Sequence, residues 1–236
     1  MSEQIDVRIT PSLHPGLVRA LDGYDESTAS FLGQVETAFS ECYEGLRSVH
    51  DAREAAKRNP TWNEAQQVIA TDDLAQKVFA RAARSVDGAV SNLTKSIAAY
   101  EAQLSGPVDT KASHAVSAEI RTHVKSLPLA DRLSFVQKAI TRGDDLSVSA
   151  VLGAPSYLSG LEPETTEAFA RLYHERSSPE VAHRLGVMKA AKELLTDKAG
   201  LLHTELDKAI GLPRAKVAAL RQAKNAAEQA FILKDA

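Results

Sequence analysis

"AVLGAPSYLSGL", residues 150–161, is the least helix-like stretch of a 236-residue chain that otherwise reads as helix. Two serines and a tyrosine on a Gly/Pro turn would make a catalytic loop in one fold and a corner between helices in another. A nucleophile elbow needs Gly-x-Ser-x-Gly between a strand and a helix. Ser156 and Ser159 do not fit that spacing, the residues before them are helical in pattern, and no Ser-x-x-Lys pair places a base beside either serine. As a corner every residue has a use. Gly153 suits a helix end at positive φ, and Pro155 stops the helix. Tyr157, Leu158 and Leu161 are expected to tuck inward, and Gly160 turns the chain into the next helix. The stretch is read as a corner, and the fold as all-α.

Working outward, the flanking sequence divides into helical seams. Leu32, Val35, Phe39, Cys42, Leu46 and Val49 recur at steps of three and four, a heptad stripe. Asp25 is a good N-cap for that helix, which should stop near Asn59-Pro60. "TWNEAQQVIA" reads as a connector. Thr71 is then expected to cap a second long helix, with Asp72 and Asp73 placing negative charge on its N-terminus. Its expected seam is Val86, Val90, Leu93, Ile97, Tyr100 and Leu104, ended by Gly106-Pro107. Two helices of about 50 Å joined by a short connector form an antiparallel hairpin. That hairpin has too little apolar surface to stand alone, so other helices should cover it.

Shorter helices follow. One has Val116, Ile120, Val124 and Leu127 on a face. The next is capped at Ser126, has Pro128 in its first turn and carries Leu129, Leu133, Val136 and Ile140. A turn at Gly143 leads to a third, over residues 146–152. Beyond the corner, Glu162-Pro163-Glu164 opens a helix with Phe169, Leu172 and Tyr173. Ser177 and Glu180 then form a capping box around Pro179. Val181, Leu185, Met188, Leu195, Leu202, Leu206 and Ala209 make a heptad-like seam down to Gly211. A last helix from Pro213 to about Leu233 offers Val217, Leu220, Ala223, Ala227 and Phe231. "IDVRIT" is expected to be extended, since no second strand exists to pair with it, with a helical turn over residues 15–21. The expected organisation is an extended N-terminal arm (1–24), a long coiled-coil-like helical hairpin (25–106), a short-helix linking segment (107–162) and a C-terminal helical hairpin (163–236).

No residue is assigned a catalytic, cofactor-binding or metal-binding role, and no cofactor is expected. His174-Glu175 and His203-x-Glu205 lack the paired spacing of a helical zinc motif, and His174 and His183 are separated by a helix break. Asp72-Asp73 and Asp144-Asp145 read as charges at helix starts. No Gly-x-Gly-x-x-Gly or Walker pattern occurs. Helical-bundle metal enzymes repeat Glu-x-x-His on two facing helices, and no such repeat is found. The chain is therefore expected not to be an enzyme.

Composition limits the partners. With 44% apolar and 25% charged residues a real core can form, and only 5% aromatics suits thin seams between helices. A net charge of −3 gives no general attraction for nucleic acid or an anionic membrane. One cysteine, Cys42, excludes an internal disulfide framework. The N-terminal residues carry acids and prolines where a signal peptide needs basic and then apolar ones, and no run is apolar enough to span a bilayer. The expectation is a soluble chain. Charge is uneven: eight acids oppose three arginines over residues 1–50, whereas Arg214, Lys216, Arg221, Lys224 and Lys234 oppose only Glu228 and Asp235 at the far end. Solvated faces explain this. The alternatives are an acidic arm meeting a basic end head to tail in an assembly, and weak nucleic-acid contact through the last helix.

Between residues 119 and 161 a pattern carries a resemblance: Glu119-Ile120-Arg121, Leu127-Pro128, Gly143-Asp144, then Val151-Leu152-x-Ala154-Pro155-x-x-Leu158-Ser159-Gly160-Leu161. This segment resembles helical proteins encoded in the virion-morphogenesis region of tailed-bacteriophage genomes. The resemblance implies a virion component and carries over no functional residue. The expected function is a non-enzymatic virion structural or accessory protein working through helix-mediated protein–protein contacts. Its partners are copies of itself or other virion proteins, with no membrane and no small-molecule substrate, and its ends are held by the fold or by neighbours. Its location is the virion after synthesis in host cytoplasm. The alternatives are a cytosolic helical adaptor or regulator and a phage scaffolding or assembly factor.

Overall fold

The computed structural model describes residues 6–231; 80% of the structure is helical, and the described residues contain no strand. The fold is all-α. A 3-10 turn at Pro11–Leu13 precedes α1 (Gly16–Arg19), α2 (Glu26–Lys57), α3 (Glu64–Leu104), α4 (His114–Ser126) and α5 (Leu129–Arg142). Then come α6 (Asp145–Leu152), α7 (Ser156–Ser159), α8 (Pro163–Ser177), α9 (Pro179–Ala199), α10 (Leu201–Ile210) and α11 (Arg214–Gln229). Ile5 in the extended reading, Leu233 as the last helical residue and the expected holding of the chain ends lie outside the described residues.

Contacts gather the chain into two compact units, Met1–Thr94 with Val187–Ala236, and Lys95–Gly186. These units cut across the linear partition expected from the sequence. Helices far apart in sequence supply apolar cover to the long hairpin.

In the first unit α2 follows its heptad. Asp25 accepts from the backbone N–H of Ser27 (2.8 Å) and Thr28 (3.0 Å), and Thr28 Oγ1 accepts from Asp25 N–H at 2.8 Å, closing a capping box. All six expected seam residues from Leu32 to Val49 are buried. The start of α3 differs from expectation. Asn63 Oδ1 accepts from Gln66 N–H at 2.9 Å, so the helix opens at Glu64, two turns before Thr71. Thr71 is internal and buried, its hydroxyl donating to Gln67 O at 2.8 Å, and Asp72 and Asp73 lie in the third turn. The seam differs in part. Leu93 and Leu104 are buried as expected and Val86, Val90, Ile97 and Tyr100 are half-buried, while Val68, Ala75, Ala82 and Ala89 are buried at seven-residue steps. Alanine at those positions lets the helices approach closely. A methyl group on Gly45 of α2 would come within 2.5 Å of Val78 Cγ1 of α3.

The hairpin is covered from the C-terminal side. α10 packs along α2, burying Leu202, Leu206, Ala209 and Ile210, and Met188, Ala191 and Leu195 of α9 are buried as well. The single C-terminal seam helix is divided at Gly200. The N-terminal segment shows the expected turn as α1, but residues 6–13 wind into turns instead of extending. Ile9 N–H donates to Asp6 O at 3.1 Å, and Ile9, Leu13 and Val18 are buried. With no strand beside it, this backbone satisfies its hydrogen bonds locally while its apolar side chains are covered.

The second unit is a small core of Val108, Val124, Val136, Ile140, Val151 and Tyr173 with their neighbours, centred on α6. Arginines close its helix ends. Arg132 Nη2 donates to Lys125 O and Leu127 O, each at 3.0 Å, and its Nη1 donates to Gly160 O. Arg121 Nη1 donates to Ala150 O at 3.0 Å, and Arg176 Nη1 donates to Thr141 O. These satisfy carbonyls that the helices leave unpaired. Gly143 takes positive φ (75°) as expected. Two caps move. Ser126 ends α4 and Pro128 takes the N-cap position of α5, which leaves Leu129 exposed. Ser177 ends α8, so the residue before α9 is Ser178.

The opening stretch is a corner, with two corrections. Gly153 has φ −79°, so it is not a left-handed cap; Gly160 takes that role at φ 69°. Gly153 is required by crowding. A Cβ there would lie 2.6 Å from Ser149 O and Thr110 Oγ1 and 2.7 Å from Val108 O. Tyr157 and Leu158 are 69% and 40% exposed, because single-turn α7 turns only Ser159 inward before Leu161. Gly153→Ala should therefore cost about 3 kcal/mol, the upper part of the overpacking range, because the atoms it meets include two backbone oxygens. Gly160→Ala meets the movable end of Arg132 at 2.7 Å and should cost less, about 1–2 kcal/mol with its left-handed strain. Urea unfolding of the two variants checks the order, and equal losses would count against the crowding.

Candidate interaction surface

Several of the groups singled out in the sequence make structural ties. Ser159 Oγ donates to Ser156 O at 3.1 Å. His174 Nε2 lies 2.9 Å from Gly106 O, at the end of α3, and Glu175 accepts from Arg171 Nε at 2.9 Å. His203 stacks edge-on to Phe79 and meets Arg214 Nη2, while Glu205 is buried and accepts from Lys208 Nζ at 2.6 Å and Thr10 N–H at 3.4 Å. Asp144 caps α6 as expected, accepting from Ser147 N–H at 3.0 Å, and those bonds hold its carboxyl below the usual range. Asp145 pairs with Lys111 at 2.5 Å. Among the described residues no three His, Cys, Asp or Glu side chains are grouped to hold a metal ion. No described helix is long and apolar enough to cross a membrane.

The sequence charges pair largely within the chain. Arg221 of α11 donates through Nε and Nη2 to Asp72 Oδ2 at 2.9 and 2.5 Å, and through Nη2 to Asp73. This fork, not a helix-start role, explains the Asp72-Asp73 pair. Arg214 binds Asp207 at 2.8 Å, Arg81 forks onto Glu41 at 2.7 and 2.9 Å, and Arg19 binds Glu36 at 3.1 Å. Near the N-terminus, Arg8 bridges Asp6 and Asp51 at 2.5 and 2.7 Å, and Asp6 N–H donates to Tyr43 Oη at 2.7 Å. His50 lies beside this cluster, and burial followed by the charge of Arg8 lowers its pKa. Cys42 is buried, which pushes its thiol up to about 11 and makes it a poor nucleophile.

What the fold leaves uncovered is helix surface. α11 packs through its first two turns, where Val217 is buried and Leu220 half-buried. From Gln222 to Phe231 every side chain is exposed, so the expected seam residues Ala223, Ala227 and Phe231 are not packed. Ala223, Ala226, Ala227 and Ala230 share one face by their spacing, and Phe231 ends it at 87% exposed. Beside this helix lies a groove of about 450 Å³ lined by Trp62, Ala65, Ile69, Leu220 and Ala223, with Lys224 and Asp73 at its edge. A second groove, of about 680 Å³, runs between α2 and α3 past Gly33, Thr37, Ser40, Ser48, Lys77 and Arg81. Local periodicity identified α11 but not where its packing stops, because that depends on α3 residues about 150 positions away.

No family model, no curated protein and no solved structure matches this chain.

The Arg8–Asp6 pair gives a pH test of how the N-terminal segment is held. Hydrogen bonds from Arg8 lower the Asp6 pKa from 3.8 to about 2. A carboxyl depressed by folding stabilises above its unfolded value, and that contribution is lost as pH falls through the folded one. Asp6→Asn should therefore be less stable than the parent at pH 6, with the difference shrinking below about pH 4, still partly present near pH 2 and gone only about a unit below that. Urea midpoints across that range check it; a difference constant with pH would contradict the pairing.

Proposed function

We propose that this chain is a non-enzymatic assembly protein that acts through helix faces, and that it serves as a structural or accessory component of a tailed-phage virion. One observation carries the assembly reading: α11 continues as regular helix for eight residues, 222–229, beyond its last packed turn, with exposed alanines along it and exposed Phe231 just past its end. A run of exposed alanines leading to exposed Phe231 supports a contact surface at that end of the helix. The phage assignment rests on the resemblance of residues 119–161. Its motif residues shape one compact core here: Val151, Leu152 and Leu161 are buried, Gly143 and Gly160 end helices, and Pro128 and Pro155 begin them.

In this reading the chain is made in host cytoplasm and carried in the particle, with copies of itself or other virion proteins as partners. The basic residues of α11 offer little to nucleic acid, since Arg214 and Arg221 are held by carboxylates. The Trp62 groove favours a second reading, a cytosolic adaptor that takes a partner's helix into that groove. A scaffolding factor is the third. Mass spectrometry of gradient-purified particles from the encoding phage separates them. The expected result is the chain at fixed stoichiometry in mature particles. Presence only in empty precursors makes it a scaffold, and presence in the lysate with absence from every particle overturns the virion assignment.

A further inference from the structure

We infer that the free end of α11 is a homodimer interface, in which two copies pair this helix antiparallel about a two-fold axis near Ala226 and Ala227. This rests on the assembly reading above and names its partner, a second copy of the chain.

A two-fold contact requires one surface to carry both a projection and the recess that receives it. The α11 surface has both: Phe231 stands 87% exposed at one end of the free segment, and the groove beside Leu220 and Ala223 opens at the other. An antiparallel pairing centred on Ala226 and Ala227 sets residue 231 of one copy opposite residue 222 of the other. Each Phe231 thereby reaches the other copy's groove, against Trp62 and Ile69. Alanines along the shared face allow the axes to approach at the short end of the ordinary 8–10 Å range.

Parallel pairing would set Phe231 against Phe231, away from either groove.

The test is the oligomeric state of the full chain by sedimentation equilibrium, with Ala227→Glu and two single-cysteine variants. The expected species has twice the 25.4 kDa chain mass. Ala227→Glu should weaken dimerisation about tenfold or more without changing helicity, since the residue is exposed within its own chain. Under mild oxidation Ala227→Cys should cross-link to its own copy, and Asn225→Cys, on the opposite face, should not; Cys42 is buried and does not compete. A monomeric parent chain overturns the interface, as does a dimer that ignores Ala227→Glu or cross-links equally at Asn225→Cys. None of these outcomes alters the particle measurement. Absence from particles beside an intact α11 dimer contradicts the virion assignment alone.

Discussion

The close approach of α2 and α3 is the constraint on which the first unit depends. α2 buries its heptad apolar residues and α3 buries alanines at seven-residue steps, and at Gly45 the helices are near enough that Val78 occupies the place of a side chain. A seam of this kind buries little area per residue, so its stabilisation comes from contact density and from cover by other helices. That explains why α10 lies along α2 and why the N-terminal segment buries Ile9, Leu13 and Val18 instead of trailing into solvent. It also places Asp72 where Arg221 can bind it, which fixes the first turns of α11 and leaves the rest of that helix without cover.

The second unit solves its packing differently. Its helices are short, so a larger share of their backbone groups lies at ends, and Arg121, Arg132 and Arg176 reach the carbonyls there. A guanidinium suits this role because its donors form a fixed fork that can serve two or three acceptors at once. The corner at residues 150–161 belongs to this scheme. Gly160 O is one of the carbonyls Arg132 binds, and Gly153 yields its side-chain space to the segment at Val108 and Thr110.

Features written in local spacing were legible in the sequence: the α2 stripe, the Asp25 cap, the glycine stops at Gly143 and Gly211, and the corner. The α3 start was not, since "TDD" copies a helix-opening signal while Asn63 does the capping and the aspartates answer an arginine 149 residues away. The α3 seam was hidden because alanine is a weak mark of burial in a chain where it is common. The inward turn expected of Tyr157 and Leu158 failed because a single helical turn has one inner side, and Ser159 takes it. As for the candidate surface, the sequence showed an amphipathic last helix, while its unpaired end and the Trp62 groove exist only through tertiary packing. Among the residues that the sequence singles out, Ser159 and Asp144 make hydrogen bonds at helix ends, and Glu175 and Asp145 sit in ion pairs.

A double-mutant cycle at Gly45 and Val78, read by urea unfolding, tests the seam most directly. Alanine in a helix normally gains about 0.5–1 kcal/mol over glycine. Contact with Val78 should reverse that sign, making Gly45→Ala destabilising by about 1–3 kcal/mol. In the Val78→Ala background the same change should lose its penalty. A Gly45→Ala chain more stable than its parent, or a penalty unchanged by removing the valine, would contradict the close approach.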